Sequence, residues 1–264
     1  MPDRHLANGS LRRRLLAGET IFGLFVAELR APGMGLMLDA AGYDFAIFDM
    51  EHGSYTLSDL AAMVPGFQGC RCAPLLRVPA VRREFFQAPL DLGVAGIVVP
   101  MVESAADARE CVQLMKYPPV GRRGVSYCRP HSRFQTPAGD QFTVEANENT
   151  LLVVQIETAK GLEHVDEIVA VPGVDAVFVG NADLAQSLGC PSDLERGQLR
   201  EAMERIIKAA AARQVAGGAN ITEPKMIAEL HGIGLRFVTL TTDVERFLAG
   251  LDSAIQGPRA WAKG

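Results

Sequence analysis

Eight short apolar runs recur along the chain, and each is followed by a stretch with helical spacing. TIFGLFV at 20–26 precedes 33–41, DFAIFD at 44–49 precedes 57–64, APLLRV at 73–78 precedes 82–92, and GIVVPM at 96–101 precedes 105–115. LLVVQIE at 151–157 precedes 162–169, and AVFVG at 176–180 precedes 182–188 and a longer helix at 193–213. VAGGAN at 215–220 precedes 224–231, and FVTLT at 237–241 precedes 244–255. The runs are nearly continuous in Val, Ile, Leu and Phe and do not alternate with polar residues. Strands of that kind are covered on both faces, as in a parallel sheet flanked by helices. Eight strand–helix units in 264 residues predict an α/β fold, a (β/α)8 TIM barrel occupying 1–264 as a single domain. A doubly wound open sheet fits less well, because the turn after the first run reads AELRAPG and lacks G-x-G-x-x-G. No linker or internal repeat divides the chain.

Several function classes drop out. A net charge of -5 and a pI near 5.6 leave no electrostatic footprint for nucleic acid. The apolar runs are strand-sized, well short of a membrane span. Arg4, Arg12, Arg13 and Arg14 near the start are not followed by a continuous apolar stretch, so no secretion signal is expected. Five cysteines are an odd number, and Cys70-x-Cys72 has no second pair at zinc-site spacing. They read as reduced thiols of a cytoplasmic protein. The segment 117–150, YPPVGRRGVSYCRPHSRFQTPAGDQFTVEANENT, is too long for a turn and rich in Pro, Gly and Arg. It reads as a lid or interface arm, or else as a solvated insertion.

In a barrel enzyme the chemistry gathers at the carboxyl ends of the strands. Asp49, Glu51 and His52 follow the second run, and Arg77 lies at the end of the third. The fourth ends in Pro100-Met101 and the fifth in Gln155 and Glu157, which share a face because they are two apart. Gly180, Asn181, Ala182 and Asp183 follow the sixth, Asn220 ends the seventh, and Thr241, Thr242 and Asp243 end the eighth. Buried acids need partners or a metal. Glu157 and Asp183 form the pair suited to a hard divalent ion, Mg²⁺ or Mn²⁺. The competing reading pairs Glu157 with an arginine and makes Asp183 a helix cap. Arg77, in an apolar strand end, needs an anion, either a carboxylate side chain or a substrate. If the substrate is its partner, Arg77→Ala should reduce turnover far more than stability. His52 has the chemistry of a base near neutrality, or is an inert loop residue.

The lysines Lys116, Lys160, Lys208, Lys225 and Lys263 all fall outside the strand runs. A desolvated imine-forming amine within the barrel is therefore not expected, and a carbanion must be stabilised by a metal. Gly217-Gly218 before Asn220 is a weak phosphate signal, which close strand packing explains equally well.

Six motifs stand in order along the chain: D-x-E-H-G at 49–53, L-R-V-P at 76–79, V-P-M-V at 99–102, Y-P-P-x-G-x-R-G at 117–124, Q-I-E-T at 155–158 and G-V-D-x-V-F-V-G-x-x-D-L at 173–184. Together they resemble the HpcH/HpaI aldolase family, over roughly 20–255. The resemblance implies a barrel of the phosphoenolpyruvate/pyruvate superfamily type and a metal-dependent (class II) pyruvate aldolase. Its cofactor would be Mg²⁺, Mn²⁺ or Co²⁺, and its partners a 2-oxo acid, an aldehyde and other copies of the chain. The expected assembly is a homohexamer or trimer of dimers, with the last helix, 244–255, exchanged between subunits. Carried over by motif, Glu157 and Asp183 would hold the metal, and Gln155, Ala182 and Asp183 would line the substrate. Arg77 would stabilise the enolate, His52 would be the base, and Asp91 would raise its basicity. Asp91 ends a return helix, at the far end of its own barrel from Glu157, so it could serve only a neighbouring subunit. As a plain helix-end acid it would have no such role. Asn181 departs from the family's usual proline, VSYCRPHSRF after Gly124 matches poorly, and the seventh run ends in Gly-Ala-Asn where aliphatic residues are usual.

The activity implied is reversible cleavage of a 4-hydroxy-2-oxo acid to pyruvate and an aldehyde, an aldehyde-lyase reaction. The same site could instead cleave a malyl or citramalyl thioester, for which Arg122-Arg123 would be a thin basic groove for the nucleotide, or decarboxylate oxaloacetate. A non-catalytic pyruvate-binding scaffold is the reading from outside enzymology.

Overall fold

The computed structural model describes residues 9–136 and 141–262. Arg4, Lys263 and the 137–140 part of the long segment lie outside the described residues. A helix, α1 (Gly9–Leu16), comes first. It is followed by β1 (Ile21–Val26), α2 (Met34–Ala40), β2 (Phe45–Asp49), α3 (Leu57–Met63), β3 (Ala73–Arg77), α4 (Arg83–Leu92), β4 (Gly96–Val99) and α5 (Ala105–Met115). Next are α6 (Gln141–Asn149), β5 (Leu151–Ile156), α7 (Ala159–Glu163), α8 (Val165–Val169), β6 (Ala176–Val179) and α9 (Asn181–Leu188). The chain continues through α10 (Gln198–Ala211), β7 (Ala216–Asn220), α11 (Pro224–His231), β8 (Leu235–Thr242) and α12 (Asp243–Trp261). All eight strands pair in parallel with their sequence neighbours, and β1 closes the barrel on β8.

The near-continuous apolar runs now divide into two columns. One faces the helices, as Leu152, Val154 and Ile156 of β5 do within the outer core. The other faces the barrel interior: Ile21, Phe45, Ile47, Leu75, Val98, Leu151, Val153, Phe178 and Phe237. Phe45 and Phe237 stack there with ring centroids 4.3 Å apart. Because side chains alternate along a strand, continuing the interior columns by two residues reaches Asp49 on β2, Arg77 on β3 and Gln155 on β5. The bottom of the barrel is hydrocarbon and its mouth is polar.

α1 was not expected from the sequence. Leu11 and Leu15 belong to the interior core, so this helix closes the amino-terminal end of the barrel. Its arginines fasten it: Arg12 Nη2 lies 2.7 Å from Asp175, and Arg13 donates to Asn149 Oδ1 at 3.0 and 3.1 Å. The long segment 117–150 is not a bare loop. It contains a short 3-10 turn, Pro130–Ser132, which packs on α4, and α6, which packs on α1. The helix expected over 162–169 divides into α7 and α8 at His164, and α10 is shorter than the expected 193–213.

The last helix extends past 255 to Trp261. Its start is fixed by a capping box between Thr242 and Glu245. Asp243, buried at this junction, accepts hydrogen bonds from the amides of Ala27, Glu28 and Leu29. Beyond that, α12 is exposed, and Phe247, Leu248, Leu251 and Ile255 present apolar surface. Among the described residues no helix is long and apolar enough to cross a membrane. All five cysteines are free, and burial pushes the Cys111 thiol up to about 12.

Candidate active site

The mouth of the barrel is organised around Arg77. Asp49 and Arg77 are register partners on β2 and β3. The guanidinium donates through Nε to Asp49 Oδ1 at 2.9 Å and through Nη2 to Oδ2 at 2.6 Å. Its Nη1 lies 3.2 Å from Glu51 Oε2, and its plane sits 4.7 Å from the Phe25 ring centroid. Arg77 therefore takes the carboxylate partner that the sequence left as one of two options. This changes the expectation for Arg77→Ala. Removing the guanidinium would leave Asp49 buried and charged, which costs about 3–5 kcal/mol, so folding would not be spared.

The acids around Arg77 titrate in opposite directions. Burial raises the Asp49 carboxyl. The Arg77 hydrogen bonds and charge, with the amides of Glu51 and His52, outweigh that and hold it below its usual range. Burial pushes Glu51 up; Arg77 pulls it down, and Glu157 and Asp49 add to the rise. Arg77 cannot neutralise all three acids, so the mouth carries surplus negative charge.

Glu157 follows β5 and is 2% exposed. Its Oε1 accepts from the Met101 amide at 2.6 Å, and its Oε2 from the Gln155 side-chain amide. The competing reading, Glu157 paired with an arginine, is not what the chain does. Met101 makes its contact from the left-handed region, φ 57, which is uncommon for a non-glycine residue and concentrates at functional sites. Its exposed side chain lies at the rim. The sequence placed Met101 at a strand end but gave no signal of this role. Gly180 explains itself here: a Cβ at that position would lie 2.3 Å from Glu157 Oε2. Only glycine leaves the carboxylate clear.

Ala182 and Asp183 sit exposed on the first turn of α9, directly after Gly180. Gly180 is the N-cap of α9, and Asp183 is an acid in the helix's first turn. Asn181 donates from Nδ2 to the Asn220 carbonyl at 2.9 Å and braces β7 against α9, which the family's proline could not do. His52 is exposed at the edge, its Nε2 3.9 Å from Glu51 Oε2, with its amide held by Asp49 Oδ1 at 3.3 Å.

The donor set suits a hard cation. Two buried oxygens, Gln155 Oε1 and Asn181 Oδ1, have no hydrogen-bond partner, and Glu51 Oε2 is met only by its ion pair to Arg77 at 3.2 Å. Oxygen donors of this kind, with the excess acid of the mouth, are the chemistry that a hard cation such as Mg²⁺ or Mn²⁺ prefers; Asp183 stands exposed on the first turn of α9 and makes no contact with Glu157. Among the described residues no group of three or more His, Cys, Asp or Glu is gathered as a metal cluster.

Two expected features lie elsewhere. Asp91, near the end of α4, faces away from the mouth, where Arg123 Nη2 donates to it at 2.5 Å and the backbone carbonyl of Asp91 is 3.0 Å from His131 Nδ1. Lys160 is exposed and bonded to Glu103 at 3.0 Å. Lys116 is buried, and burial lowers it to about 8. Its Nζ, however, donates to the carbonyls of Asn147 and Thr150 at 2.7 and 2.6 Å, beneath the start of β5. A desolvated amine exists, but at the end of the barrel opposite the polar mouth.

Comparison with known proteins agrees with this geometry. The family described as HpcH/HpaI aldolase/citrate lyase matches residues 22–249. A 2-keto-3-deoxy-L-rhamnonate aldolase of Klebsiella pneumoniae subsp. pneumoniae is 32% identical over 247 residues, covering 94% of this chain and 92% of that protein. A hydroxypyruvate/pyruvate aldolase of Roseobacter denitrificans is 33% identical over 241 residues, covering 90% and 93%. The crystal structure of an HpcH/HpaI aldolase from Desulfitobacterium hafniense DCB-2 superposes with a TM-score of 0.89 at 30% identity, covering 94% and 96%.

Proposed function

The chain belongs to the HpcH/HpaI aldolase/citrate lyase family, and from that premise we propose that it is a divalent-metal-dependent pyruvate aldolase acting at the Arg77–Glu157 mouth. It is a carbon–carbon lyase, as its named relatives are. The observation that carries the reading is the surplus of buried acid at the mouth: Asp49, Glu51 and Glu157 against one guanidinium, with unpartnered oxygens beside them.

In the cleavage direction the C4 hydroxyl of a 4-hydroxy-2-oxo acid loses its proton and the C3–C4 bond breaks. The electron pair delocalises onto the C2 oxygen, the aldehyde leaves, and C3 takes a proton to become the methyl of pyruvate. Glu157 and Asp183 would hold a divalent ion, which supplies Lewis acidity at the keto oxygen. Arg77, fixed by Asp49 and Glu51, places positive charge where negative charge grows, and being already oriented it needs no reorganisation. Gln155 and the backbone at Ala182 orient the pyruvate part. His52, open to solvent, takes the hydroxyl proton and returns one to C3. Removal of metal by chelation should abolish pyruvate release from a panel of hydroxy-oxo acids, and Mg²⁺, Mn²⁺ or Co²⁺ should restore it. Full activity after thorough removal excludes the class. Parallel assays on malyl and citramalyl thioesters and on oxaloacetate separate the neighbouring chemistries of the same site.

The same reading has the chain self-associate as a homohexamer through α12, supported by its exposed apolar side chains. Asp91 would then reach the His52 of a neighbouring subunit. The free thiols fit the reducing cytoplasm.

A further inference from the structure

Between α4 and α5, a cavity of about 380 Å³ is lined by four arginines, Arg82, Arg83, Arg122 and Arg123. Glu110 is the acid among the lining residues, and Leu114 supplies apolar wall. The arginines are unequally committed. Arg122 pairs with Glu110, and Arg123 with Asp91. Arg83 Nε donates to the neutral Gln87 Oε1 at 2.9 Å. Arg82 has no side-chain partner among the described residues. Arg123 is 4% exposed, and its Nε is a buried donor with no partner. Four guanidinium groups against two carboxylates leave a surplus of two positive charges (4 − 2 = 2). Gly124 follows Arg123 against the same helix: a Cβ there would come within 3.1 Å of Arg83 Nη2 and of Gln87 Oε1.

We propose that this cavity binds the phosphoryl group of a small phosphorylated metabolite, held by Arg82, Arg83, Arg122 and Arg123. Guanidinium forks match phosphate oxygens in pairs. A phosphate ester carries roughly -1.5 to -2 charge near neutrality, which matches the surplus, whereas one carboxylate would leave half of it unbalanced. The volume falls within the roughly 300–1,000 Å³ of small-molecule sites, so a sugar or nucleoside portion can enter with its phosphate. None of the four arginines is among the groups assigned to the aldolase reaction, although Arg123 pairs with Asp91, which that reading gives to a neighbouring subunit.

Calorimetric titration of the full-length protein at constant ionic strength tests this, with inorganic phosphate, a pentose phosphate, ADP and coenzyme A as probes and citrate as control. Saturable binding is expected for inorganic phosphate and more tightly for at least one organic phosphate. Tightest binding of the pentose phosphate identifies a sugar phosphate ligand, and tightest binding of ADP or coenzyme A a nucleotide. Arg82→Ala should weaken binding roughly tenfold or more, the scale of a lost charge-assisted hydrogen bond. Arg82→Ala/Arg122→Ala should weaken it further. Aldolase kcat/KM should be unchanged in Arg82→Ala. Should the double variant fold poorly, Arg82→Ala alone decides, because it removes no existing ion pair. Absence of saturable binding at millimolar concentration, equal binding by wild type and Arg82→Ala, or citrate binding as tightly as every phosphate overturns the proposal.

Discussion

At the closed end of the barrel, Arg12 reaches Asp175 at 2.7 Å and the Glu148 carbonyl also at 2.7 Å, with Leu11 and Leu15 in the interior below. At the open end, Arg77 reaches Asp49 and Glu51, and Glu157 receives the Met101 amide. Both ends set arginine against aspartate, but they differ in what is left over. At the closed end the unpartnered buried atoms are Arg14 Nη1 and Thr20 Oγ1. At the mouth they are acceptor oxygens on Gln155 and Asn181, with Glu51 Oε2 met only by its ion pair to Arg77. Spare acceptors beside excess acid favour a cation, while arginines spread along a short helix fasten a plug. One architecture thus keeps stability and chemistry at opposite ends.

The largest effect should come from Arg77. Arg77→Ala is expected to reduce turnover about 10²–10³-fold, the typical result of losing one preorganised electrostatic group. It should also destabilise the fold by about 3–5 kcal/mol, because Asp49 keeps its buried charge. Arg77→Lys retains a charge opposite Asp49 but loses the planar fork. Its urea midpoint should recover most of the stability while pyruvate release stays well below wild type. If turnover recovers together with stability in Arg77→Lys, the guanidinium serves the fold and the mouth loses its catalytic arginine.

The same division explains what could be read in advance. The barrel was legible because eight near-continuous apolar runs, each followed by a helix, need cover on both faces, and the first turn lacks the Gly-rich signature of an open doubly wound sheet. The rim was legible because polar residues end those runs: Asp49, Arg77, Gln155 and Asn220 all stand where expected. Pairings were harder to see. Whether Arg77 faces a carboxylate or open space depends on β2–β3 register, and Met101 owes its role to a backbone dihedral that its residue type does not announce. α1 was missed because eight residues with three arginines and three leucines give too weak a stripe; its apolar side is defined only by the barrel it fills. α6 was missed because its sequence, QFTVEANEN, is mostly polar and is held by Arg13 and Lys116 from outside.

The plug should be separable from the chemistry. Leu11→Ala empties part of the barrel floor and is expected to cost about 2–5 kcal/mol of unfolding free energy. Since Leu11 lies in the interior core and the proposed reacting groups lie at the mouth, kcat/KM of the folded fraction should match wild type. Urea unfolding and steady-state kinetics at a temperature where both proteins are folded make the test. A fall in kcat/KM without unfolding would show that the two ends are mechanically coupled.

Lys116 offers the smallest and most selective test of the closed end. Burial lowers its amine from 10.5 to about 8, so between those values the unfolded chain holds a proton that the folded chain has released. Stability contributed by this group therefore rises with pH across 8 to 10.5 and is flat below 8, where both states are protonated. One proton limits the slope to about 1.4 kcal/mol per pH unit. Lys116→Met removes the titration. It also removes the donors to Asn147 and Thr150, which lowers the variant's stability throughout the range. Thermal or urea unfolding of both proteins across the window should show wild type gaining on the variant as pH rises. A constant difference would mean that the three oxygens around Nζ hold the ammonium charged throughout, and that the closed end tolerates a buried cation as the mouth does.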